Sequence, residues 1–596
     1  MVRWFTFLFL TGGLILAGGA AAEDLLGGDW FLHRVADAVA DGEITTETAL
    51  LLKFQYVFEP DRLPDEFRPD ETTPLKCATP MIQEFTSTRS DLSAATVAAI
   101  DNYLAEPDKD QSRAAYVSPS GHFNFTYSTT GGDAVPSADI DPANGVPDYV
   151  DRCAAYMDYS WQREVVEMSF GQPPFISGYY PVSFQNMGAY GFTSVVNSAL
   201  GSTQIVLHNT FSGFPSNDDP DGNVLGAAKV TCAHEFKHAT QFITSRWSEG
   251  GWVELDATWT EEEVYPATND YHNYLYGNSP VRQPTIPLTI TNNNSSTGTG
   301  SYEDCVWEIW MSENFGWEII RDLWIWRDTH RSQWMMYSYR DLLEEYGTDF
   351  PTAWSSFTGW NFSTLSRAIE GEGYPDAPDY PTGSASANIF SYPGDYSGSV
   401  EHLAANFLYC FSFGDTSEQL HVEFNGSNVG NFTLNAAVKY NDGSGYFVAI
   451  PVDANNDAVW TLAEPTSALF TVGLIVGNAS FAGPSLPYDI DVSLTAASAI
   501  AEMPVPFELD GNFPNPFNPS TNIAFSLKEG AVAHLEVFDL QGHLVRRLWQ
   551  GELAAGPYKM KWDGRDDSGH SVSAGTYLAR LTSAQHSATI KMVLAK

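Results

Sequence analysis

The chain has 596 residues, 43% apolar, 14% aromatic and 17% charged; that excludes an intrinsically disordered protein and gives core enough for three or four domains of roughly 100–200 residues each. Seventy-four acidic against thirty basic residues leave a formal net charge of -44, which argues against nucleic acid as a partner because phosphate binding needs clustered Lys and Arg. The acid excess reads first as solubility in a salty or extracellular medium, next as calcium binding through some of the carboxylates, and last as a preference for cationic substrates.

In chain order, residues 1–22 read as a secretory signal peptide: Arg3 begins it, residues 4–17 are apolar, and Ala20-Ala21-Ala22 offers small residues for cleavage before Glu23. The apolar run is shorter than the roughly 20 residues a membrane span needs, so the expectation is an exported protein, secreted or held at the cell surface. Residues 23–112 form an N-terminal segment, either a propeptide or a structural domain. Apolar residues recur there at helical spacing, Thr45 and Thr46 can start a second helix, and "EPDRLPDEFRPDETTP" reads as a Pro-rich linker. Residues 113–385 mix strands such as "HFNFTYST" with helices such as "PDYVDRCAAYMDYSWQREVVEMSF", "SYEDCVWEIWMSENFG" and "WSSFTGWNFSTLSRAI". Residues 386–500 carry short alternating runs between Gly, Asn, Asp and Ser clusters, the signature of a β-sandwich. Residues 501–596 repeat that pattern after the junction "FPNPFNPST". Five cysteines are widely spaced with no CxxC pair, so disulfide formation in an exported protein leaves at least one thiol over.

The chemistry concentrates at "KVTCAHEFKHATQF", residues 229–242. On a helix, Cys232, Phe236, Ala239 and Ile243 make one apolar stripe, while His234, His238 and Gln241 share another face. Two imidazoles four residues apart are about 5–6 Å from each other at Cβ, the spacing for two ligands of one Zn²⁺. Glu235 projects beside the metal, where a carboxylate takes a proton from metal-activated water. A catalytic zinc needs a third protein ligand. The next helix, "GGWVELDATWTEEEVYP", places Glu254 first for that role, Glu261 on the same face in reserve, and the following segment offers His272 as a third choice. Tyr302 and Tyr265 are both available to stabilise an oxyanion, and the sequence does not choose between them.

His234-Glu235-x-x-His238 followed by Trp252-x-Glu254-x-x-Ala257-x-Trp259 resembles the gluzincin metallopeptidases, nearest to a group of secreted metalloproteases in multidomain bacterial proteins. The resemblance covers roughly residues 113–350. It implies an α+β, thermolysin-like fold, zinc held by His234, His238 and Glu254, and Glu235 as general base and acid toward a protein or peptide substrate. Thermolysin-type enzymes carry an Asp four residues after the ligand Glu to support a histidine; here that position is Thr258, which leaves the support unassigned. In gluzincins a later helix packs on the motif helix, which makes Cys232 and Cys305 the candidate disulfide, against the alternative of two buried free thiols behaving as small apolar side chains.

"DIDPANGVPDYVD", residues 139–151, resembles acidic calcium loops with one extra residue in the first half, and makes Asp139, Asp141, Asn144, Asp148 and Asp151 candidate Ca²⁺ ligands. "NDDPDGN", residues 217–223, is a polar turn or a second calcium loop. The last ninety or so residues, with "FPNPFNPSTNIAFSL", "VFDLQGHLVRRL" and "WDGRDDSGHSVSAGTYLARL", resemble FlgD-type Ig-like modules and type IX secretion sorting domains; that implies export through secretion machinery and cell-surface attachment. The expectation is therefore a multidomain protein: a gluzincin metalloprotease domain followed by two all-β, Ig-like sandwiches, acting as a secreted zinc endopeptidase. The competing reading is a surface binding or adhesive protein whose gluzincin domain is inactive.

Overall fold

The computed structural model describes residues 27–69, 73–105, 113–289, 302–414, 417–496, 507–513 and most of 517–594; the expected signal peptide at 1–22 lies outside the described residues. Among the described residues no helix is long and apolar enough to cross a membrane. The chain divides into two compact units, one formed by residues up to 416 together with 420–494, the other by 417–419 and 495–596.

The first unit opens with four helices, α1 (Gly27–Ala40), α2 (Thr46–Phe58), α3 (Thr79–Thr88) and α4 (Ala94–Leu104). Thr45 caps α2 by accepting the Thr48 N–H at 3.1 Å, and Ser93 caps α4 by accepting that of Thr96 at 3.2 Å. Their apolar faces share a core with Met187, Ala189, Phe192 and Val206 of the region that follows. The expected linker after α2 is packed chain instead: it folds into short turns at Pro60–Arg62 and Asp65–Phe67, buries Leu63 and Phe67, and is tied by Arg68 to the Leu63 carbonyl at 2.6 Å.

Next comes a five-stranded sheet of β1 (Ala114–Val117), β2 (Phe123–Tyr127), β3 (Tyr180–Gln185), β4 (Gly191–Asn197) and β5 (Ser202–His208), in the order β1-β2-β3-β5-β4. β2, β3 and β5 run parallel, and the two outer pairings are antiparallel. Helices α5 (Asp148–Trp161) and α6 (Asn223–Ser245) cover one face, packing Cys153, Met157, Cys232 and Phe236 against Phe123, Tyr180 and Ile205. After Trp161 the chain continues in a wider π-helical turn, Gln162–Glu167. Five more helices follow: α7 (Trp252–Val264), α8 (Val306–Phe315), α9 (Glu318–Thr329), α10 (Met335–Glu345) and α11 (Phe350–Phe362). They enclose a second core rich in tryptophan, with Trp252, Trp259, Trp307, Trp310 and Trp354. The sequence places the last helix across 354–369; it starts at Phe350 because Asp349 accepts the Thr352 N–H at 2.8 Å, and it ends at Phe362.

The region expected as a sandwich at 386–500 pairs two sheets. One has the order β11 (Gly445–Ile450), β10 (Phe432–Tyr440), β13 (Leu469–Asn478), β8 (Ala404–Cys410), β6 (Ala387–Ile389); the other β12 (Asp457–Thr461), β9 (Gln419–Gly426), β14 (Leu486–Thr495), β7 (Gly394–Val400). Helix α11 seals the outer face of the first sheet. Ser355 donates to the Asn435 side-chain oxygen at 2.6 Å and accepts its amide at the backbone carbonyl at 2.6 Å. A Cβ at Gly473 of β13 would lie 1.9 Å from the Phe362 ring, so only glycine admits that ring. This sandwich therefore belongs to the same compact unit as the helices before it. The second unit is another sandwich, of three strands (β15, Phe507–Phe513; β16, Thr521–Leu527; β19, Gly556–Trp562) and four (β17, Ala531–Phe538; β18, Leu544–Leu553; β20, Gly575–Ser583; β21, His586–Leu594), closed around Phe525, Leu535, Trp562 and Leu581.

All five cysteines are buried and free, which overturns the expected Cys232–Cys305 disulfide. Cys232 faces the sheet core, 3.9 Å from the Cys153 carbonyl, whereas Cys305 sits in the tryptophan core.

Candidate metal centre

Helix α6 is buried on nearly all sides, because its apolar stripe meets the sheet while the opposite side meets α7 and α9. Its two histidines stack one turn apart with ring centroids 4.8 Å apart, edge to face. The chain then reverses through Arg246 and Trp247, both at positive φ, and Gly250. Two bonds fix that return: the Trp247 indole donates to the His238 carbonyl at 2.9 Å, and the Gln241 amide donates to the Val253 carbonyl at 2.9 Å. The first turn of α7 thereby delivers Glu254 to both imidazoles, with Oε2 3.2 Å from His234 Nε2 and Oε1 3.2 Å from His238 Nε2.

The other ring nitrogens are also engaged. His234 Nδ1 lies 2.7 Å from Glu261 Oε1 and His238 Nδ1 lies 2.8 Å from Gln241 Oε1, so both Nε2 atoms are turned toward Glu254. Glu261, held in reserve as a ligand by the sequence, is the support that Thr258 cannot provide; Thr258 spends its hydroxyl on the Glu254 carbonyl at 2.9 Å. Glu235 points to the other side of the cluster. Thr193 of β4 donates to its Oε2 at 2.8 Å. The strand can approach so closely because residue 191 is glycine: a Cβ there would lie 3.1 Å from Glu235 Cγ and 2.9 Å from Thr231 Cγ2.

One contributor comes from far away in the sequence. Cys77, just before α3, places Sγ 3.5 Å from His238 Nε2 and 3.2 Å from Glu235 Oε1. Ligand atoms of Cys77, His234, His238 and Glu254 all lie within 4.8 Å of one another, and this is the one such group of His, Cys, Asp and Glu among the described residues. Nothing in the sequence singles out Cys77 as a ligand: it is a lone Cys beside Lys76 ahead of Pro80 in a segment that reads as either a propeptide or a structural domain.

The charges in the pocket call for a cation. Burial alone would lower His234, yet hydrogen bonds and charges from Glu254 and Glu261 raise it to about 10. Burial would raise Glu254, but the two histidines hold it at about 2. Burial also raises Glu235, against the pull of His238 and His234. Without a metal, His234 is thus drawn toward its charged form by Glu254 and Glu261. A zinc ion would supply that positive charge instead, and the donor set suits it: two imidazole nitrogens, a carboxylate and a thiol sulfur lie within 4.8 Å of one another, the ligand types zinc takes. Glu254 Oε1 is buried and lies 3.2 Å from His238 Nε2 without a well-formed hydrogen bond to it, the kind of acceptor a metal satisfies.

Other candidates lie elsewhere. His272 packs edge-on to Tyr271 and Tyr380. Tyr265 donates to the Tyr156 carbonyl at 3.0 Å, whereas the Tyr302 ring stands 6.0 Å from that of His234 and its hydroxyl is 3.5 Å from the Cys77 carbonyl. In the 139–151 loop the acidic groups bind the loop's own backbone. Asp139 accepts the N–H groups of Asn144 and Gly145, both at 2.9 Å; Asp148 accepts those of Ile140 and Asp141 at 2.8 and 3.0 Å; Asn144 donates to Asp151 at 3.1 Å. Among the described residues these carboxylates form no group of three close ligand atoms like that around Cys77, and the loop leads into α5. In the 217–223 loop Lys229 pairs with Asp219 and Asp221 at 2.9 and 2.8 Å, a cation already supplied by the chain.

Comparison with known proteins speaks to the C-terminal unit. Residues 515–587 match the FlgD Ig-like domain family, so the second sandwich is an Ig-like module of that type. No curated protein matches the chain. Among solved structures, PorZ, a bacterial surface component of the type-IX secretion system of Porphyromonas gingivalis, is 24% identical over 18% of this chain and 14% of that chain, with a TM-score of 0.12. The pre-peptidase C-terminal domain of a Bacillus anthracis collagenase is 11% identical over 18% of this chain and 97% of its own, with a TM-score of 0.15. This chain thus spans 14% of the length of PorZ.

Proposed function

We propose that the chain is an exported zinc-dependent endopeptidase of the gluzincin type, acting on protein or peptide substrates. The observation that carries this reading is the convergence of His234 Nε2, His238 Nε2 and the Glu254 carboxylate, with Glu235 beside them on the same helix. These three residues would hold the metal, and zinc bound there supplies Lewis acidity toward water and a substrate carbonyl. Glu261 and Gln241 keep both imidazoles presenting Nε2. Glu235, its pKa raised by burial, takes a proton from the attacking water and later gives it to the leaving amine. Thr193 holds that carboxylate in place. Of the two tyrosines, Tyr302 faces the cluster and is the donor we assign to the developing oxyanion.

The C-terminal FlgD-type module supports export and attachment at the cell surface as part of the same reading. The test is metal content of the purified full chain together with casein or fluorogenic-peptide hydrolysis, with and without chelator. One zinc per chain, lost in His234→Ala, is expected, and whatever hydrolysis the chain shows should be abolished by chelator. A chain that binds no zinc above the level of His234→Ala refutes the proposal.

A further inference from the structure

Resting on that metal assignment, the geometry points to Cys77 as a fourth zinc ligand, through which the N-terminal segment closes the site and holds the peptidase latent. A catalytic zinc keeps one position open for water and substrate, whereas a site with four protein ligands is closed. Cys77 Sγ occupies the fourth corner, 3.5 Å from His238 Nε2 and within 4.8 Å of the other ligand atoms. The Thr79 backbone N–H donates to the same sulfur at 3.3 Å, a bond suited to a thiolate. One thiolate and one carboxylate around Zn²⁺ with two neutral imidazoles also leave the ligand shell uncharged, the condition a fully buried site favours.

The same short stretch covers the rest of the machinery. Cys77 Sγ lies 3.2 Å from Glu235 Oε1, where the thiol donates when no metal is bound, and the Thr79 hydroxyl donates to Oε2 at 3.4 Å, so the segment covers both oxygens of the general base. The backbone of residues 75–78 lies along the edge of the sheet next to β4: Leu75 N–H donates to the Gly188 carbonyl at 2.8 Å, Tyr190 N–H to that of Leu75 at 2.9 Å, and Ala78 N–H to that of Gly191 at 3.0 Å. An extended peptide substrate would add to a sheet edge through such bonds, so the segment takes the substrate's place as well as the water's. Lys76 anchors it. Its ammonium, buried against the rings of Tyr190 and Tyr274, pairs with Glu261 at 2.8 Å and with Asp270. Release of the site then requires residues 75–79 to withdraw, by cleavage or by displacement of the N-terminal helices.

The full-length chain loaded with zinc, and separately with cobalt(II), tests this. X-ray absorption at the zinc edge is expected to show one sulfur scatterer at about 2.3 Å. The cobalt form is expected to show a thiolate-to-metal charge-transfer band. Cys77→Ser should keep one metal per chain and lose both signals, and Cys77→Ser and Cys77→Ala should hydrolyse peptide faster than the wild-type full chain. The wild-type spectra need no variant, so a misfolded substitution does not spoil the test. Metal bound by nitrogen and oxygen alone, or equal hydrolysis by wild type and Cys77→Ser, overturns the role of Cys77 and leaves the peptidase reading standing. A chain that takes up no metal overturns both.

Discussion

Glu261 is the residue whose substitution separates ligand from support. Its two oxygens serve different partners, Oε1 at 2.7 Å from His234 Nδ1 and Oε2 at 2.8 Å from Lys76 Nζ, and all three groups are buried. Removing a group that orients a metal-bound histidine typically weakens metal binding about 10–100-fold, or roughly 1.4–2.7 kcal/mol. Glu261→Ala should therefore lower zinc affinity by that factor and still bind one equivalent. Glu261→Gln keeps an amide oxygen for the His234 N–H and should lose less. Glu254→Ala removes a ligand outright and should lose stoichiometric binding. Stripping one partner from a buried ion pair costs about 3–5 kcal/mol; Asp270 still pairs with Lys76 here, so the stability loss in Glu261→Ala should fall below that range. Competition with a chromophoric chelator gives the affinities, and thermal unfolding in excess EDTA isolates the stability change. If Glu261→Ala abolished zinc binding while Glu254→Ala bound like wild type, the ligand and the support would have to change places and the two-helix geometry would be wrong.

Glu235→Gln, made in the Cys77→Ala chain as well as alone, should keep zinc and lower kcat/KM about 10²–10⁴-fold; wild-type rates with metal bound would remove Glu235 from the mechanism. Tyr302→Phe should lower kcat about 10²–10³-fold with little change in KM, as expected for an oxyanion donor, whereas Tyr265→Phe should not; steady-state kinetics on one peptide decides between them. Glu164, in the π-helical turn, is buried with both carboxyl oxygens lacking a hydrogen-bond partner, and burial raises its pKa well above 4.5 despite the opposing charge of Lys237. The folded state then binds a proton that the unfolded chain gives up, so this group's contribution falls as pH rises above about 4.5, by up to about 1.4 kcal/mol per pH unit. Glu164→Gln should gain in Tm over wild type as pH increases from acid toward neutral, and parallel Tm profiles for the two proteins would show that Glu164 is ionised in the fold.

The parts of the centre that were legible in the sequence are those set by local helical geometry. His234, Glu235 and His238 are fixed relative to one another by 3.6 residues per turn, and Glu254 follows from the same period in the next helix. Gln241 was visible on the histidine face and Glu261 on the Glu254 face, but the periodicity could not say that they bind Nδ1 atoms. Cys77 was invisible because its partners Glu235 and His238 lie 158 and 161 positions away, a closure that no window of sequence contains. The disulfide expectation failed for a related reason: burial can be inferred for Cys232 and Cys305, but not which of two cores each one enters. Strand β10, "FTLNAAVKY", alternates, with Phe432, Leu434, Ala436 and Val438 in the sandwich core and Asn435 on the opposite face bonded to Ser355 of α11; a polar residue on that face does not announce that a helix covers it. In the acidic loop at 139–151, Asp139 and Asp148 accept nearby backbone N–H groups, a use of Asp that composition alone does not separate from ligating a cation.

Glu261 also joins two things that are distant in the chain. Through one oxygen it orients the imidazole proposed to hold zinc, and through the other it grips the lysine next to the cysteine proposed to close the site. On those assignments metal loading and docking of the N-terminal segment share a carboxylate and a ligand, so each must favour the other by the same free energy. Zinc would then stabilise the docked segment as any ligand stabilises the state that binds it, and chelation would loosen residues 75–79 along with the metal.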